Sequence, residues 1–203
     1  MTGRIITARH GRPDLSRDVK ITSQEYADWW AQYDASGLHP DERSPQGLVE
    51  IAQGAKTVLS STLPRAIETA RQATGAAREV PADSIFVEAP LPPPPMPFLK
   101  LQPGTWGVIS RSFWFWGYAP SGVETHMEAW GRVRNITARL AEHAEKGDVL
   151  LCAHGYLNWM IDRRLKKEGW TLVERNGANH YWSWRIYEPP GLRDGAETPA
   201  IAE

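Results

Sequence analysis

Along the chain, short aliphatic or β-branched runs alternate with longer stretches of helical period. The first run, Arg4-Ile5-Ile6-Thr7-Ala8, predicts a strand that stops where Arg9-His10-Gly11 begins. Lys56 to Ser60 predicts a second strand and Ile85-Phe86-Val87 a third. The fourth, Asp148 to Ala153, is again followed by a histidine and a glycine, His154-Gly155, and Tyr181 to Tyr187 predicts a last, edge strand. Thr22-x-x-Glu25 has the form of a capping box, opening a helix with Tyr26, Trp29, Trp30 and Tyr33 that ends near Gly37. Leu48 to Ala52 suits a short helix, and Pro64 suits the first turn of the next one, where its missing N–H costs nothing. From Glu124, the residues Met127, Trp130, Val133, Thr137, Leu140 and Ala144 fall on one helical face, and Gly147 supplies the stop. A final helix begins near Gly155, uses Leu157, Met160, Ile161 and Leu165, and ends at Gly169. This alternation predicts an α/β fold of three layers, helix, sheet and helix, with a mostly parallel sheet.

Two stretches break the period. Residues 89–122 hold a proline run and then Trp106, Phe113-Trp114-Phe115-Trp116 and Tyr118. Prolines donate no ladder hydrogen bonds and favour an extended or irregular path, so this stretch is expected to be an insert over the carboxyl edge of the sheet, a candidate lid. Its aromatic cluster is expected to pack the insert's own core first, and to wall a substrate site or a homodimer contact next. Residues 188–203, with two adjacent prolines and several charges, are expected to fray as a flexible tail. Residues 1–203 are thus read as one domain with an insert.

Composition narrows the function classes. A net charge of −1 gives no electrostatic case for nucleic acid or for an anionic membrane surface, so any anion must be held by a local pocket of positive charge. The one cysteine, Cys152, excludes an intrachain disulfide and fits a reducing compartment. With no signal-like start and no run of membrane-spanning length, a cytoplasmic protein is expected.

Two strands that each deliver a histidine at their carboxyl ends could set both imidazoles at one rim of a parallel sheet, where open α/β folds bind ligands. Arg65, in Ser61-Thr62-Leu63-Pro64-Arg65-Ala66, stands at a strand-to-helix junction. Arg9 and Arg65 offer planar guanidinium groups that suit phosphate oxygens, and a helix starting at Gly155 would add N–H groups and its positive end. Nearby cations keep an imidazole neutral, which prepares His10 to attack phosphorus while His154 donates to a non-bridging oxygen. No metal-type histidine spacing appears, so neither a metal nor another cofactor is expected.

These residues also carry a resemblance. Arg9-His10-Gly11 after a strand, Ser61-x-Leu63-x-Arg65-Ala66-x-x-Thr69-Ala70, and His154-Gly155 after a strand resemble the histidine phosphatase superfamily, with its phosphoglycerate mutase-like fold. The resemblance runs to about residue 187 apart from the insert, and implies that His10 is the phosphorylated nucleophile, with Arg9, Arg65 and His154 completing the pocket. It also implies a glutamate proton donor shortly after the third strand, where this chain has Leu91 and prolines. Glu124, in Gly122-Val123-Glu124-Thr125, resembles the family's Gly-Glu-Ser element and is a candidate donor, as are Glu88 and His126; if none of them supplies a proton, substrates with good leaving groups, such as phosphohistidine or an acyl phosphate, are expected. Gly155, Trp106, Trp114 and Trp116 are expected to join the two arginines in holding a small phosphorylated substrate. The expectation is a phosphatase acting on a phosphate ester or phosphoramidate. The alternatives are a phosphoglycerate mutase-like phosphomutase, or a catalytically weak member that binds a phosphorylated ligand or protein.

Overall fold

The computed structural model describes residues 2–75 and 77–191. Its middle layer is a six-stranded sheet. At the centre β4 (Val149–Ala153), buried along its whole length, lies between β1 (Ile5–Arg9) and β2 (Thr57–Ser61), both parallel to it. β3 (Ala82–Asp83) runs parallel to β2, while β6 (Trp184–Glu188) and then β5 (Thr171–Asn176) extend the other side antiparallel, giving the order β3-β2-β4-β1-β6-β5.

Alternation along the strands makes two cores. Ile5, Leu59, Val149, Leu151 and Ala153 face α5 (His126–Ala144) and α6 (Gly155–Lys167). Ile6, Ala8, Val58, Leu150 and Cys152 face the opposite side, with α2 (Gln46–Gly54) and α3 (Pro64–Thr74). This is the mostly parallel, three-layer arrangement the periodicity predicts. β1 and β4 pair with Arg9 opposite Ala153, so the next residue of each strand, His10 and His154, arrives at the same rim.

A third, aromatic cluster joins α1 (Ser23–Ala35) to α4 (Pro103–Phe115) through Tyr26, Trp29, Tyr33 and Trp106. The capping box at α1 is present in both directions: Glu25 N–H donates to Thr22 Oγ1 (3.3 Å), and Thr22 N–H donates to Glu25 Oε2 (2.7 Å).

Several expectations need correction. The segment after the prolines is not irregular throughout, because Pro103 starts a regular helix, α4, at its first turn. The third strand lies at Ala82–Asp83, and Ser84–Phe86 instead forms a 3₁₀ turn closed by Asp83 Oδ1 accepting from Ile85 N–H (3.0 Å). The edge strand on that side of the sheet is β5, a half-polar segment that carries no apolar run to announce it, whereas β6 is interior and reaches Glu188, the first residue of the expected tail. Of that tail, residues 192–203 lie outside the described residues. Met127 leaves the buried face of α5 and is exposed.

Candidate active site

The loop after β1 is held tightly. Gly11 N–H donates to Thr69 Oγ1 (2.9 Å), and Thr69 in turn donates to the Arg65 carbonyl (2.7 Å), tying the loop to α3. A Cβ at Gly11 would stand 2.4 Å from the Trp182 ring, so only glycine lets the backbone approach that ring so closely. His10 Nδ1–H donates to the Gly11 carbonyl (2.7 Å), which leaves the lone pair on Nε2. That atom accepts from Arg65 Nε at 3.3 Å.

Arg65, buried on the first turn of α3, is the hub. Besides His10, its guanidinium donates to the Tyr33 carbonyl (2.8 Å) and to Asp34 Oδ1 (3.0 Å), lies over the Tyr33 ring and reaches His154 Nδ1 at 3.5 Å. Burial raises the Asp34 carboxyl above its ordinary value, against the pull of Arg65. His154 makes a 2.8 Å contact through Nε2 with Ser61 Oγ, and its ring centroid lies 5.2 Å from that of His10. Arg9 donates to the Asn179 carbonyl and lies 4.6 Å over the Tyr181 ring, yet its Nε is buried with no hydrogen-bond partner among the described residues. Gly155 gives Arg9 room, since a Cβ there would be 3.2 Å from Arg9 Nε.

Both imidazoles are neutral at pH 7. Burial, then His154, Arg65 and Arg9, push His10 well below its ordinary value, and burial, then Arg65, Arg9 and Arg132, do the same to His154. The arrangement therefore offers an unprotonated nucleophile beside two guanidinium groups.

These residues open into a cavity of about 460 Å³, walled by α1 through Trp29, Trp30 and Tyr33 and by α4 through Gly104, Val108 and Arg111. The structure brings Arg9, His10, Arg65 and Gly155 to its lining, with His154 packed against Arg65 behind them. Of the described residues lining it, Glu88 is the one carboxylic acid. Its two oxygens accept from Tyr156 N–H (3.0 Å) and Leu157 N–H (2.8 Å), so it takes up N–H groups at the start of α6 that the sequence assigns to phosphate.

Other expected site residues lie elsewhere. Glu124 is held through both oxygens by Arg132 (2.7 Å each) and borders a separate depression. His126 accepts from Trp130 Nε1 (3.1 Å) among aromatic rings. Trp106 is buried and donates to the Ile21 carbonyl, Trp114 is buried and donates to the Glu124 carbonyl, and Trp116 projects into solvent; none lines the cavity. The aromatic wall belongs to α1 instead. Asp34 and Asn179 had no local signal, because each is defined by a partner distant along the chain; Ser61 belongs to the motif around Arg65, but its contact with His154, 93 residues later, is not written there.

The sequence model of the histidine phosphatase superfamily (branch 1) matches residues 99–192. No curated protein matches the chain. Among solved structures, a mycobacterial glucosyl-3-phosphoglycerate phosphatase is similar at 21% identity and a TM-score of 0.57, over 91% of this chain and 89% of its own. A phosphoserine phosphatase from Entamoeba histolytica, in complex with 3-phosphoglyceric acid, is similar at 18% identity and a TM-score of 0.54, over 81% and 80% respectively. At such identities the likeness is one of fold.

Proposed function

We propose, on the premise that this chain belongs to the histidine phosphatase superfamily, that it hydrolyses a phosphate ester or phosphoramidate through a phosphohistidine on His10. The observation that carries the reading is the His10 Nε2 lone pair, buried and neutral, facing Arg65 and beside an Arg9 Nε that has no partner among the described residues. A phosphoryl dianion supplies what those groups lack. Its oxygens take the N–H groups of Arg9 and Arg65, and its charge favours a protonated His154, which then donates to a non-bridging oxygen.

In the first step the Nε2–P bond forms as the bond from phosphorus to the leaving atom, oxygen in an ester or nitrogen in a phosphoramidate, breaks, and that atom receives a proton from the Glu88 carboxyl. In the second, water attacks phosphorus, the P–N bond breaks, and the proton of the water returns to Glu88. Guanidinium and imidazole groups provide the positive charge throughout. Glu88 replaces Glu124 as the proposed donor because it lines the cavity and Glu124 does not. The substrate is a small phosphorylated molecule, and the single, buried Cys152 accords with a cytoplasmic setting.

A screen of p-nitrophenyl phosphate, sugar phosphates, nucleotides and phosphohistidine tests this. Turnover by the wild-type chain that His10→Ala removes is expected; equal turnover by both, or none by either, overturns the reading.

A further inference from the structure

The outer wall of the cavity differs in character from its floor. Between Glu88 and Glu124 the chain has no carboxylate, although it has 24 acidic residues overall; Lys100 and Arg111 are the only formal charges there. Along α4, Gly104, Val108 and Ser112 follow one another at helical spacing and line the mouth. Phe115 continues that row. Val108 is 68% exposed, Phe115 57% and Trp116 85%. The Phe115 ring meets His126 at 4.9 Å, and the neighbouring Met127, 81% exposed, carries the apolar surface onto the first turn of α5. At the other end, Phe98 is 99% exposed just ahead of α4.

A large aromatic rim left in water marks an interaction surface. Its position narrows what it meets, for it begins at the cavity where a phosphate is to enter. A substrate rich in hydroxyls would find few partners along Leu91, Val108 and Phe115, whereas an alkyl chain would be desolvated there. A net charge of −1 gives no general attraction to an anionic bilayer, and Glu128, next to Met127, and Glu25, close to Lys100, border the rim, so the contact rests on the exposed Trp and Phe, which suit the interfacial zone of a membrane. Among the described residues no helix is long and apolar enough to cross a membrane, so the contact would be peripheral.

We propose that the α4 rim seats on a lipid surface and that the substrate is an amphiphilic phosphomonoester, its phosphate reaching His10 while its apolar part stays along the rim. This rests on the phosphatase reading above. The products are inorganic phosphate, released to water, and an alcohol that remains in the bilayer, with one water consumed.

The test uses the full chain, vesicles of phosphatidylcholine with and without phosphatidic acid, and p-nitrophenyl phosphate as a soluble probe. Wild type is expected to float with the phosphatidic acid vesicles and hydrolyse that lipid. F115S/W116S/M127S, and the milder W116S/M127S, should lose about tenfold in vesicle binding and in lipid hydrolysis. Both should keep wild-type turnover of p-nitrophenyl phosphate, which also shows that they fold. Wild type that stays in solution, or rim variants that bind vesicles as well as wild type, overturn the proposal. So does a rim found by sedimentation to hold two copies of the chain together in place of vesicle binding. Hydrolysis of p-nitrophenyl phosphate without vesicle binding overturns this proposal alone; vesicle binding with hydrolysis of neither probe overturns the phosphatase reading and, with it, the substrate assigned here.

Discussion

The floor and the outer wall of the cavity are built by opposite rules. At the floor, Arg65 spends its N–H groups on Tyr33, Asp34 and His10, Thr69 ties the loop after β1 to α3, and the rings of His10 and His154 are buried. At the wall, α4 buries Trp106 and Trp114 but leaves Phe115 and Trp116 in solvent. A buried polar network of this kind holds its members in one geometry, as a reaction centre requires. An exposed apolar face does not fix atoms; it selects what arrives. Changes at the floor should therefore reach the chemical step, and changes at the wall should reach only the choice of substrate.

The sharpest way to break this contrast is at Arg65. Arg65→Lys keeps a positive charge but replaces the planar five-donor fork, whose three nitrogens serve His10, Tyr33 and Asp34, with a single ammonium that cannot span them and a phosphate together. It should lower kcat on p-nitrophenyl phosphate by roughly 10²- to 10³-fold, with little change in circular dichroism. A fall confined to KM would show that the hub only binds.

Glu88→Gln should give a smaller and more selective effect. A leaving alkoxide needs general acid help, whereas nitrophenolate leaves well without it. The variant is expected to lose about 10²-fold on an alkyl phosphate and only a few-fold on p-nitrophenyl phosphate, measured side by side. Equal losses on both would assign Glu88 to capping α6, where it already accepts two N–H groups.

The smallest effect is on stability. His10 and His154 are both held below their ordinary values, so the unfolded chain binds more protons than the folded one once the pH falls through the unfolded value of about 6.5. Stability should be flat above that pH and should decline below it, down to the lower folded values. His154→Gln should remove up to about half of that slope in urea titrations across pH 7 to 5. Comparing the two chains cancels His126 and His143, which are also lowered. An unchanged slope would mean that His154 titrates alike in both states.

The same contrast governs what could be read before the structure. The floor was legible because its carriers follow short apolar runs: Ile5 to Ala8 and Val149 to Ala153 name their strands, and the next histidine of each marks the rim. Arg65 was legible from Pro64, which starts its helix. The third dimension supplied the rest. Glu88 enters the site because the first turn of α6, 68 and 69 residues later, turns its N–H groups toward it. Glu124 sits in a family-like stretch, but Arg132, two turns along the same face of α5, takes both its oxygens. The helix of α4 was masked by the prolines before it and by Gly104 and Gly107 inside it, so its aromatic residues read as one cluster although they divide between core and solvent.

The most direct measurement is rapid quenching of the enzyme during turnover of a phosphorus-labelled substrate, followed by peptide mapping. Phosphate on His10, stable to base, labile to acid, formed and discharged at rates consistent with kcat and absent from His10→Ala, is the predicted result. Steady turnover with no label on the protein, or label on a different residue, would contradict it.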